Sequence, residues 1–351
     1  MILLTPSANA ESTDALQEAL DLPALEEAVR DNALMPEVSA LSPGDLGEGI
    51  GAIFQQSISY LGGYWTGAAR TAGIVISITL LCMLVKLLAP NGPQTAVQVA
   101  GALAITAACA GSLQQLVGLG VQTIEELQEF STALLPTLAA AVVATGAPTA
   151  SSAIYVATVF FGSLLTLVFT SVFVPMIYAY VVAGAADAAL GGDLLTRIGG
   201  LCKWVVTSGM KLLLTVYLGW LTITGIISGS ADAATIKAAK LALSTAVPVV
   251  GSIISDASET VLVSASLLKN GIGVFGMLAV FSIASLPFLR IGIHYLAFKL
   301  TAAVAGSLDN GGLGKLIDVL TGAMGMLLAM TGIGALQLLF SIVCSMKAVT
   351  G

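Results

Sequence analysis

The chain has 351 residues, of which 57% are hydrophobic and only 9% charged, with a mean hydropathy of +0.97; a soluble domain carries about 25% charged residues. That composition excludes a soluble globular protein, and the 38 glycines suit close helix packing in lipid. The net charge of −7 is uneven, with ten acidic residues against Arg30 alone in residues 1–64 and no basic patch that would serve nucleic acid.

Aromatic residues are only 6% of the chain, and the apolar runs are far longer than the roughly 10-residue strands of a membrane barrel. The expectation is therefore an all-α polytopic membrane protein. Met1–Ala10 ends in the small-x-small pattern Ala8-Asn9-Ala10, which reads as the remnant of a signal peptide. Residues 11–64 form an acidic region expected outside the cytoplasm. Its end carries Phe54, Tyr60 and Tyr64, aromatic residues of the type that favours the interface. Residues 65–351 are the transmembrane domain.

The spans are predicted at about 66–89, 95–119, 152–186, 204–228, 271–298 and 320–345. Pro90-Asn91-Gly92-Pro93 turns the chain between the first two. Gln122–Glu129 reads as a polar connector. Leu134–Ala147, with Pro136 near its start, is too short to span and reads as a re-entrant or interfacial helix. Pro175 kinks the third span and Pro287 the fifth, with Arg290 and His294 in the last turns of the latter. Ser230–Asn270 is too polar to face lipid and too apolar for a solvated loop of that length. It is read as a second re-entrant or interfacial element, making about six spans plus two such segments.

With the N-terminus outside, Lys86, Arg197, Lys203, Arg290, Lys299 and Lys315 fall on or near the cytoplasmic side, in keeping with the positive-inside rule. Pro136 and Pro175 have the same spacing as Pro248 and Pro287. At the same offset Gly199-Gly200-Leu201-Cys202-Lys203 matches Gly311-Gly312-Leu313-Gly314-Lys315. These matches predict a parallel tandem repeat of about 120–228 and 232–340, hinged at the four prolines.

The chain contains no GxSxG, HExxH or Walker A motif. Its one histidine, His294, and its four scattered cysteines do not make a metal set. The expectation is a protein that is not an enzyme and holds no cofactor. The residues of interest are those of the polar stretch: Asp232, Lys237, Lys240, Pro248, Asp256, Glu259, Lys269 and Asn270. They contact a partner, line a path, or lie solvated at the outer surface. Lys237 with Lys240 and Asp256 with Glu259 are like-charged pairs at helical spacing that a hairpin would bring face to face.

The segment Ala238–Gly276, AAKLALSTAVPVVGSIISDASETVLVSASLLKNGIGVFG, resembles the hallmark region of the stage III sporulation protein AE family of endospore-forming bacteria. The resemblance covers roughly residues 50–345, and departs from the family in the short front of the signal peptide. It implies an integral subunit of the secretion-like channel complex between mother cell and forespore, needed for forespore development. The protein would sit in the mother-cell membrane beside the other subunits of that complex, and homo-oligomers are open to it. The residues by themselves also allow a stand-alone small-solute secondary transporter, which requires an enclosed midplane site, and a passive scaffold, which requires no cavity.

Overall fold

The computed structural model describes residues 46–89, 92–145, 148–191, 193–246, 251–308 and 312–347, with the side chains of 224–268 outside that description. The described chain is helical throughout: α1 (Leu46–Leu88), α2 (Gln94–Ala144), α3 (Pro148–Val168), a π-helical turn (Phe169–Phe173), α4 (Val174–Leu190), α5 (Asp193–Ala246), α6 (Gly251–Leu308) and α7 (Gly312–Lys347). The π turn joins α3 to α4 without a break, so there are six helices long and apolar enough to cross a membrane. In a bilayer a helix satisfies its own backbone polar groups, which is why these apolar runs take this form.

The helices outrun the bilayer. At about 1.5 Å rise per residue, even the 36-residue α7 is about 54 Å long, against about 30 Å of hydrocarbon. The reason is local. Gln122–Glu129, expected as a connector, contains neither glycine nor proline, and α2 runs straight through it. Gln122, Glu125 and Glu129 take the exposed side, while Thr123, Ile124, Leu127 and Phe130 are buried at i, i+3 and i+4 spacing. Residues 134–144, expected as a separate short helix, are the end of that same α2. They are not interfacial: Leu134, Leu138 and Ala141 pack with Phe275, Ala279 and Ile342. Pro136 sits inside α2 on an exposed face.

The kink expected at Pro175 has a defined form. Proline has no N–H, so the regular bonding of the preceding turn is lost. The chain widens into the π turn, and the Val174 N–H donates to the Phe169 carbonyl. Pro287 lies inside α6; Pro248 lies outside the described residues, between α5 and α6. Between α4 and α5, where the expected spans leave 187–203 unassigned, the chain reverses tightly at Gly191, whose φ of 68° suits glycine and whose N–H donates to the Asp187 carbonyl at 2.8 Å. Gly92 similarly closes the first turn, its N–H donating to the Ala89 carbonyl at 2.9 Å.

The helix ends place Ala89, Gly92, Gly191, Leu308 and Gly312 at one end of the bundle, called the turn end below. Leu46, Thr145 and Lys347 lie at the other. α7 packs against α2, α3, α4, α5 and α6, whereas α1 lies outermost against α6 and α2. α1 and α6 run parallel, since Gly49 faces Leu278, Ser57 faces Ser285 and Tyr64 faces Arg290. The free flank of α1 presents Leu81, Leu84, Leu87 and Leu88, as a lipid-facing helix does. Glycines let neighbouring backbones approach: a Cβ at Gly184 would lie 2.6 Å from Val319 Cγ1, and one at Gly209 2.6 Å from Phe173 Cζ.

Candidate functional site

Of the residues singled out in the polar stretch, Asp232, Lys237 and Lys240 fall within α5, and Asp256 and Glu259 within α6. The described backbone there, 230–246 and 251–270, is helical. The two longest of the described helices are α5, 54 residues ending at Ala246, and α6, 58 residues beginning at Gly251. The spans expected at about 204–228 and 271–298 occupy only part of these two helices. By rise per residue, the intervening helix adds about 30 Å on each side of the junction. The expected pairing of Lys237 with Asp256 lies outside the described side chains. Lys269 is buried, with 1% exposure, and Asn270 is half-buried.

A second polar zone, inside the bundle, was not singled out from the sequence. The hydroxyls of Thr158 on α3 and Ser341 on α7 are hydrogen-bonded to each other. The Tyr217 hydroxyl on α5 donates to the Gln337 carbonyl at 2.9 Å. Gln128, Ser131, Thr158, Thr166 and Gln337 line a cavity of about 20 Å³ together with Gly162 and Gly334. That is room for one water molecule. The zone therefore joins α2, α3, α5 and α7 through paired polar groups, which is how hydroxyls and amides bind helices together in lipid. The only trace in the sequence is an isolated Ser, Thr or Gln in each apolar run, and nothing in those runs says which of them meet.

The Tyr217 hydroxyl can be tested alone. Its ring is buried against Phe161, with centroids 5.5 Å apart. Tyr217→Phe keeps the ring contact and removes the hydrogen bond. It is expected to cost about 1 kcal/mol in denaturant unfolding of the detergent-purified protein, whereas Tyr217→Ala is expected to cost about 3–5 kcal/mol through the cavity it leaves.

A third polar group lies at the boundary of α1 and α6. Arg290 was expected in the last turns of its span, and α6 continues past it to Leu308. Its guanidinium lies over the Tyr64 ring of α1, 4.6 Å from the centroid. The Nε atom is buried and makes no hydrogen bond among the described residues. One turn on, His294 is buried with Nδ1 3.0 Å from the Arg290 carbonyl oxygen, a contact in which Nδ1 carries the proton. Cys82, Cys109 and Cys202 are buried and Cys344 half-buried, all as free thiols. Among the described residues no three His, Cys, Asp or Glu side chains lie together as a metal set.

The geometry is thus a lipid-facing bundle with a cross-linked polar interior and a pair of helices that continue far beyond their spans. Comparison with known proteins gives a match of residues 34–349 to the sequence model of stage III sporulation protein AE. The stage III sporulation protein AE of Bacillus subtilis (strain 168) is 22% identical over 277 residues, covering 78% of this chain and 69% of that protein. No solved structure matches the chain. The family match takes in every described helix, the hallmark segment included, and the chain belongs to the stage III sporulation protein AE family.

Proposed function

We propose that this protein is an integral membrane subunit of the secretion-like channel complex that joins mother cell and forespore during sporulation. The observation that carries the reading is the continuation of α5 and α6 as helices far beyond their spans, through the segment most typical of the family. A small-solute carrier has no need of long helical extensions, whereas a subunit can use them to dock a protein outside the lipid. Asp232, Lys237, Lys240, Asp256 and Glu259 lie on this extension and are its contact residues, with Pro248 at the junction and Lys269 and Asn270 at its base. The paired polar interior supports the same reading, because it serves helix cohesion rather than an enclosed solute site.

The topology that fits has the turn end in the mother-cell cytoplasm, where Lys86, Arg197, Lys203, Lys299 and Lys315 satisfy the positive-inside rule. The acidic N-terminal region and the α5–α6 extension then face the forespore. The proposed repeat is supported by the two spans that fall in each of its halves. The protein holds no cofactor and acts through contacts rather than catalysis.

The test is a double charge reversal, K237E/K240E, in a sporulating host whose own copy has been removed. The variant is expected to reach the membrane in normal amount, to lose co-purification with the other sporulation proteins, and to lower spore yield by about 100-fold, the loss a few broken interfacial charge contacts produce. Reversal of Asp256 and Glu259 to lysine in the same chain is expected to restore part of it if the two pairs face each other. Normal spore yield with a purified protein that is a monomer and binds a small solute would favour the carrier instead.

A further inference from the structure

At the turn end a cleft of about 380 Å³ opens between α5, α6 and α7. It is lined by Lys203 and Thr207 from α5, Tyr295 and Lys299 from α6, and Asp318 and Thr321 from α7. Lys203, Lys299 and Asp318 are exposed side chains. No salt bridge joins them among the described residues. We propose that this cleft binds the headgroup of an anionic phospholipid of the phosphoglycerol class, with the two lysines holding its phosphate. The inference rests on the six helices crossing a bilayer and is independent of the complex-subunit reading.

Depth supports the assignment. Lys203 and Lys299 each lie about 15 Å along the helix from its turn-end terminus by rise per residue. The helices exceed the hydrocarbon thickness by a similar margin, so both ammonium groups fall near the headgroup layer rather than in the acyl core. The neighbouring surface agrees. Trp204, next to Lys203, is 63% exposed, and Leu296 and Leu300, beside Lys299, are also exposed. Tryptophan beside lysine, flanked by bare leucine, is the pattern of a membrane boundary. A ligand in this cleft therefore has phosphate-binding cations on one side and acyl-chain surface on the other, which a lipid fills and a free anion does not.

The hydrogen-bonding inventory selects the headgroup. Thr207 donates its hydroxyl to the Lys203 carbonyl at 2.8 Å, and Thr321 donates to the Ile317 carbonyl at 2.8 Å. Each threonine therefore offers the cleft only acceptor capacity. Asp318 is a further acceptor, and its negative charge opposes a doubly charged phosphate monoester. The lysines and the Tyr295 hydroxyl are the donors for a phosphate, while the threonines and Asp318 accept; the fitting ligand is a singly charged phosphodiester that also brings hydroxyl donors for those acceptors, which is the chemistry of a glycerol headgroup.

The test uses the full chain in nanodiscs of phosphatidylcholine alone or with about one-fifth phosphatidylglycerol, a share that makes the surface anionic. Thermal unfolding and retention of phosphatidylglycerol after detergent extraction are the readouts. The wild type is expected to gain thermal stability with phosphatidylglycerol and to retain it. K203Q/K299Q is expected to unfold like the wild type in phosphatidylcholine alone, and to bind phosphatidylglycerol about 25-fold more weakly, about five-fold for each lysine. K86Q/K315Q removes the same charge elsewhere at the turn end and is expected to change binding little. Equal losses in both variants would mean diffuse attraction to the surface and overturn the site. A wild type indifferent to phosphatidylglycerol would overturn it as well. If soluble glycerol phosphate reproduces the stabilisation in phosphatidylcholine discs, the ligand is a solute and the lipid assignment falls.

Discussion

Gly312→Ala is expected to be the most damaging single-methyl change in the described chain. Gly312 is the first residue of α7, and a Cβ there would lie 2.8 Å from the Ala188 carbonyl oxygen and 3.2 Å from the Ala188 Cα. These are backbone atoms at the end of α4, which no rotamer change can move. The added carbon would also meet the amide of Gln98, whose Nε2 donates to that same Ala188 carbonyl at 2.9 Å. One methyl thus strains the junction of α2, α4 and α7 and breaks a hydrogen bond across it. A loss of about 3 kcal/mol is expected, at the upper end of overpacking costs. Gly184→Ala provides the contrast. Its Cβ would fall 2.6, 2.8 and 3.0 Å from Cγ1, Cγ2 and Cβ of Val319, a side chain with little rotamer freedom. Val319→Ala in the same chain removes the two closest atoms and is expected to recover most of the loss. No side-chain truncation is expected to rescue Gly312→Ala. Denaturant unfolding in detergent of Gly312→Ala with and without Gln98→Ala, and of Gly184→Ala with and without Val319→Ala, checks both statements, and equal rescue at the two sites would show that α4 and α7 do not meet as described.

Tyr64→Leu is expected to destabilise the docking of α1 by about 2 kcal/mol. The guanidinium of Arg290, on α6, loses the ring face on which it lies. Such contacts are worth about 2 kcal/mol when desolvated. The informative variant is the double change Tyr64→Leu with Arg290→Met. Removing one partner of this half-buried charged contact leaves the other unsatisfied, whereas removing both leaves apolar surface against apolar surface. The double variant is therefore expected to be more stable than Tyr64→Leu alone and to approach the wild type. Protease access at the α1–α6 boundary in proteoliposomes, together with unfolding in detergent, measures this. If adding Arg290→Met further destabilises the Tyr64→Leu protein, Arg290 has other partners and the ring is not its principal one.

Much of the architecture was legible in the sequence because lipid imposes a simple rule. An apolar run of sufficient length has to satisfy its backbone internally, so six such runs read as six helices. The turn at Gly92 was legible too, in the run Pro90-Asn91-Gly92-Pro93, whereas the reversal at Gly191, where a φ of 68° suits glycine, was not. What hydropathy misplaced were the helix ends. Gln122–Glu129 and the parts of Ser230–Asn270 at 230–246 and 251–270 looked like interruptions because they are polar, but they are helical, since polarity does not break a helix; missing N–H groups and unfavourable φ do. The sequence also ended the helix that carries Arg290 at Phe298, ten residues before its observed end at Leu308.

By itself the sequence determined the solvent, the number of crossings, the family segment and the residues that make α5 and α6 polar beyond their spans. These follow from composition and local order, which lie along the chain. Only the tertiary structure decided that Thr158 meets Ser341, that Arg290 meets Tyr64, and that Lys203, Lys299 and Asp318 share one cleft. In lipid the hydrophobic effect does not rank one helix face over another. Which faces join is set by close-approaching glycines and matched polar groups on helices far apart in sequence, and that matching exists only once the bundle is assembled.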